Sequence, residues 1–172
     1  MPLQAARQVN AVVRHTNTAS LGWSHVNTVA VFRWKDKLPS DEEVGADPAT
    51  RYSKDFGEQW AYQSCLPVAN AVLQAVRNLG HKTDVEAPYN GEGGWHFTIE
   101  IDQKRYSIMV LWIPKGDRRD YFAVQPSLLR GCLASLFLAR PPESSLRPVC
   151  DVLQDALGRH PQMADLEWGS EF

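Results

Sequence analysis

From Trp95 to Asp102 the side chains alternate without a break. Trp95, Phe97, Ile99 and Ile101 point one way, and His96, Thr98, Glu100 and Asp102 point the other. A period of two belongs to a strand with one face buried. After Gln103-Lys104, which predicts a tight turn, the pattern returns over Arg105–Ile113 with Tyr106, Ile108, Val110 and Trp112 on one side. Two strands with matched apolar faces need a layer to pack against. A third strand is expected at Tyr121–Gln125, after the Pro114–Asp120 turn.

Helical spacing provides the candidate second layer. Trp60, Ser64, Val68, Val72, Val76 and Leu79 recur every three or four residues, with Ala61, Cys65, Ala69 and Leu73 beside them. Pro67 lacks an N–H and clashes with the turn before it. The helix therefore kinks at Pro67, or starts with Ser64 as N-cap and Pro67 in its first turn. Gly80 fits the position that ends a helix. Leu128, Leu129, Cys132, Leu133, Leu136 and Phe137 predict a second helix. After Pro141-Pro142, Leu146, Val149, Val152, Leu153, Ala156 and Leu157 predict a third, capped by Ser144 or Ser145. Residues 24–34 read as an opening strand, His81–Tyr89 as a short extended segment, and Ala164, Leu166 and Trp168 as a closing strand. The order strand, helix, strands, helix, helix, strand predicts an α+β fold: an antiparallel β-meander packed against helices.

Length and termini set the expected boundaries. The 172 residues suit one domain. Residues 1–22 are expected to be a flexible N-terminal tail, 23–168 a single α+β domain, and Gly169-Ser170-Glu171-Phe172 a remnant of cloning sites.

Charge and cysteine usage narrow the function. There are 18 Lys and Arg against 20 Asp and Glu, with no basic clustering, so nucleic acid is not an expected partner. The longest apolar run is Ile108–Ile113, far below the ~20 residues of a membrane span, so no membrane partner is expected. Cys65, Cys132 and Cys150 are an odd, widely spaced set, which reads as a cytoplasmic chain without a disulfide framework. No CxxC, HxxxH or HExxH occurs, so no metal and no cofactor are expected. Asn90–Gly94 is not a phosphate loop, because a strand follows it where a helix is needed.

One catalytic arrangement merits weighing. Cys65 near a helix start, with His96 opening a strand, has the residue types of a thiol hydrolase or transferase. Asp102 shares the His96 face but lies about 20 Å along the strand, too far to orient it. The competing reading packs Cys65 as a small apolar residue beside Ala61, Ala69 and Leu73. That leaves no catalytic residue assigned and the chain read as a non-enzyme.

Residues 36–58 hold seven acids, Asp36, Asp41, Glu42, Glu43, Asp47, Asp55 and Glu58, which form either a solvated connection or a surface that steers a basic partner. A helical turn is expected at Ser40-Asp41-Glu42-Glu43.

Certain stretches resemble small bacterial immunity proteins, which sit beside secreted toxins and block them by binding. They are Val29–Trp34 followed by Leu38-Pro39-Ser40-Asp41-Glu42-Glu43-Val44, then Leu79-Gly80, Val85–Pro88, Gly94–Ile101, Lys104-Arg105-Tyr106 and Ala164–Trp168. The resemblance spans about residues 26–168. It implies a monomer or dimer that neutralises a cognate toxin or effector by stoichiometric binding. Asp41, Glu42, Glu43 and Asp47 are the first candidate contacts, and Tyr89 and Glu92, on the turn before the sheet, the second. A secretion chaperone, binding an extended segment at a sheet edge, is the further alternative.

Overall fold

The computed structural model describes residues 28–40, 43, 54–91, 93–129 and 142–169. Seven strands form one antiparallel sheet: β1 (Val29–Trp34), β2 (Lys82–Thr83), β3 (Tyr89–Gly91), β4 (Gly94–Ile101), β5 (Lys104–Trp112), β6 (Tyr121–Leu128) and β7 (Met163–Gly169). Their order is β2-β4-β5-β6-β1-β7, with β3 also paired to β4. β4, β5 and β6 are the expected meander. β1 then pairs with β6, and β7 closes the far side against β1.

Helices α1 (Lys54–Asn78) and α2 (Arg147–Gly158) pack on one face. The chain is an α+β protein. The alternation placed that face correctly. Phe97, Ile99, Tyr106, Ile108 and Val110 have no exposed surface, Trp95 is 7% exposed, and Ile101 and Trp112 are partly buried against the same core. From the helices come Val68, Val72, Leu73, Val76, Leu153 and Leu157. Removing each of these side chains from water contributes about 1.5–3 kcal/mol.

Several expectations shift. The β4–β5 turn is Asp102-Gln103, one residue early, with Ile101 facing Lys104. Both turn residues have positive φ, 48° and 62°. That conformation matches the twist of a two-residue hairpin. α1 does not start at Ser64. It runs 25 residues, and Pro67, on its exposed side, is accommodated inside it. A proline on the solvent side sits where helices already bow outward. Gly80 does take φ 87° beyond the helix end.

β6 continues to Leu128, so Leu128 belongs to a strand and not to a helix. Pro126 is tolerated there because it lies past the last pair with β1, Ala30 with Val124. The rest of the predicted second helix, from 130 on, lies outside the described residues, as does the N-terminal tail. α2 is preceded by a 3₁₀ turn over Glu143–Leu146 and carries no side-chain cap. Ser145 instead has a buried hydroxyl without a partner. The closing strand is longer than Ala164–Trp168 and bulged: its register slips between Val31 and Arg33, where Asp165 has φ 53°. Gly169 is its last residue and pairs with Val29.

Candidate functional site

The pairing registers fix which side chains share the face away from α1 and α2. Tyr89, His96, Met109, Gln125 and Val29 form one row across it, and Leu111, Ala123, Val31 and Glu167 the next. Tyr121 and Arg33 follow toward one end, and Thr98, Ser107 and Ser127 toward the other. The middle is apolar. Val29 and Ala123 are buried, and Val31, Met109 and Leu111 are half-buried.

Charge surrounds that middle in pairs. Arg33 Nε donates to Asp165 at 2.7 Å, Arg118 Nη2 to Asp120 at 3.0 Å, and Lys115 Nζ lies 3.9 Å from Glu167. Lys115 and Arg118 also sit 4.4 and 4.8 Å from the ring centre of Tyr121. Such contacts hold cations over an aromatic face while leaving their heads wet.

Tyr89 is 49% exposed, and its ring stacks on His96 with centroids 5.8 Å apart. Gly91 makes room for this. A Cβ there would stand 2.7 Å from the His96 ring. Gly94 is required more strictly, since a Cβ would overlap the Val110 carbonyl oxygen. Gly91 thus lets the His96 ring lie over the turn, where it stacks on Tyr89.

The candidate contacts do not gather in one place. Asp41, Glu42, Asp47 and Glu92 lie outside the described residues. Glu43 is exposed and held locally: the Ser40 N–H donates to its Oε2 at 2.6 Å, its own N–H donates to Ser40 Oγ at 3.2 Å, and Lys37 Nζ is 3.5 Å away. The two bonds have the reciprocal pattern of a capping box. The Ser40 backbone bond, then Lys37, hold the Glu43 carboxyl below its ordinary pKa. Glu43 follows β1, four strands from β3, so it stands about 19 Å or more from Tyr89 at ~4.8 Å per strand. Beside it, an open cleft at the end of β1 is lined by Arg33, Trp34, Lys35, Asp36 and Arg119.

The structure does not bring Cys65 and His96 together. Cys65 is 3% exposed, inside α1 and in the helix-side core, where burial pushes its thiol up to about 12. His96 projects from the opposite face. The sheet separates them, and the packing reading of Cys65 holds. Among the described residues, no group of three or more His, Cys, Asp or Glu could hold a metal ion, and no helix is long and apolar enough to cross a membrane.

The sequence reading missed His96 as the partner of Tyr89, and it missed the apolar centre that Val31, Met109 and Leu111 share. The signal was present. β1 and the second half of β5 are apolar at successive positions, the mark of strands with something to bury on both faces. Compared with known protein families, with curated proteins and with solved structures, the chain matches none.

Proposed function

We propose that the protein acts by stoichiometric binding to another protein, in the manner of the immunity proteins it resembles: a cytoplasmic chain that neutralises a cognate secreted toxin or effector. The observation that supports this is the make-up of the face away from the helices. An apolar centre ringed by paired charges, with a half-exposed aromatic ring at its margin, has the anatomy of a protein interface. Tyr89 is already stacked on His96, so docking it loses little side-chain freedom, the property of a binding anchor.

The test is co-expression with the product of the adjacent gene, followed by titration. A one-to-one complex is expected. Leu111→Lys with Met109→Glu should weaken it at least ~100-fold, the scale of losing central contacts. Tyr89→Ala should cost about 1–3 kcal/mol of binding. Tight binding that ignores all three changes removes this face from the reading, and turnover of a substrate by the isolated chain removes the reading itself. A chaperone reading predicts instead an extended peptide paired along a strand edge.

A further inference from the structure

The β4 edge of the sheet is covered by two strands too short to hold it. β2 contributes two residues, opposite Glu100 and Ile99, and β3 three, opposite His96, Trp95 and Gly94. Between them, the backbone of Thr98 faces a gap. Asp84 fills it alone. Its N–H donates to the Thr98 carbonyl at 3.3 Å, and its Oδ1 accepts from the Thr98 N–H at 3.0 Å. A side-chain carboxylate stands in for the carbonyl that a continuing strand would have supplied.

Two arginines keep the substitute in place. Arg105, on β5, donates to Asp84 Oδ2 at 2.9 Å. Arg77, in the last turn of α1, reaches the same segment from the helix layer. Its Nε donates to Thr83 Oγ1 at 2.9 Å, its Nη1 to the Glu86 carbonyl at 3.1 Å, and its Nη2 to the Val85 carbonyl. Thr83 is the last paired residue of β2, and Val85 and Glu86 belong to the stretch that leaves the ladder and rejoins it at Tyr89.

We infer that Asp84 is an edge guard: with Arg77 and Arg105 it closes the β4 edge, and so prevents the sheet from extending through that edge into a second copy of this chain. An uncovered β4 would offer eight consecutive residues, Gly94–Ile101, as a template. Unpaired strand edges of that length recruit other strands, and very short edge strands with inward-braced charges are a recognised way to blunt them. The guard works by satisfying Thr98 with one residue. The intervening segment then need not pair and stays free to present Tyr89.

The test follows Thr98 amide hydrogen exchange by NMR, and oligomeric state by sedimentation velocity over a range of concentrations. Asp84→Ala should speed Thr98 exchange about tenfold or more, the effect of losing one charge-assisted bond, and should self-associate as concentration rises. Asp84→Asn keeps an acceptor oxygen and should keep the oligomeric state of the native chain at the same concentrations. Faster exchange without self-association overturns the guard role, as does unchanged exchange in Asp84→Ala. If that variant does not fold, Arg105→Gln removes only the outer brace. Faster Thr98 exchange with concentration-dependent association supports the inference, and native behaviour overturns it.

Discussion

At the scale of single residues, two positions carry consequences out of proportion to their size. Gly94 has no room for a methyl group, because the Val110 carbonyl lies where a Cβ would go, and a carbonyl in a sheet ladder cannot move aside. Gly94→Ala is therefore expected to destabilise by about 1–3 kcal/mol, the range for forced overpacking, and a thermal melt measures it. Gly80→Ala has no steric neighbour and loses only the positive φ, so it should cost less, about 1 kcal/mol. His160 is the second position. Its ring stacks on Trp34 at 5.9 Å, and burial lowers its pKa below 6.5, partly offset by Asp36. Well above pH 6.5 the imidazole is neutral in both folded and unfolded chains and contributes no pH dependence. As pH falls below 6.5 the unfolded chain takes up the proton first, so stability drops until the folded-state pKa is passed. His160→Phe keeps a stacked ring and should flatten that part of the curve between pH 7.5 and 5.5. An unchanged slope would assign it to another group.

At the scale of elements, legibility followed periodicity. The β4–β5 pair was legible because a buried face imposes period two, and a slip of one residue would turn Trp95, Phe97 and Ile99 outward. The turn was misplaced by one because Asp102 continues the polar alternation, while its positive φ leaves no mark in the pattern. α1 was legible from Trp60 on. Its first turns, beginning at Lys54 and including Gly57, are polar and resemble a connection. β2 lies within the extended segment expected at His81–Tyr89, but β3 falls mostly on Asn90 and Gly91, expected as a turn; the detour between them is held by side-chain bonds from Arg77 and Arg105, which leave no periodic mark. The position of β1 between β6 and β7 is set by long-range pairing that no local window records. The turn leads to a prediction. Replacing Asp102-Gln103 by Asn-Gly, the pair that best tolerates two positive φ values, should stabilise the hairpin by about 1 kcal/mol without changing register. A higher melting temperature with the Glu100–Arg105 pairing intact checks it. A lower one would mean that Asp102 and Gln103 make contacts worth more than the relief of strain.

At the scale of the whole molecule, the candidate site separates into parts with different physics. The face away from the helices has its charges paired within itself, so it presents little net field to an approaching partner. The acids of residues 36–58 are another matter: Glu43, though paired with Lys37, remains exposed. Their group was readable from composition, while the face needed the sheet register to assemble residues from six strands. The two parts should leave different kinetic signatures. Long-range attraction acts on the encounter and is screened over about 8–10 Å at ordinary salt, so it governs association. Desolvated contacts form only after docking and govern dissociation. Neutralising Asp41, Glu42 and Glu43 together is therefore expected to slow association with the partner several-fold at ~50 mM salt, with the difference vanishing near ~300 mM and dissociation unchanged. Leu111→Lys should speed dissociation at both salt concentrations. Stopped-flow binding separates the rates. If the neutralised variant dissociates faster at high salt as well, those acids are direct contacts, and the partner reaches across the end of β1 as well as the face. If it associates and dissociates like the native chain at both salts, the acidic stretch is a solvated connection and the face alone carries binding.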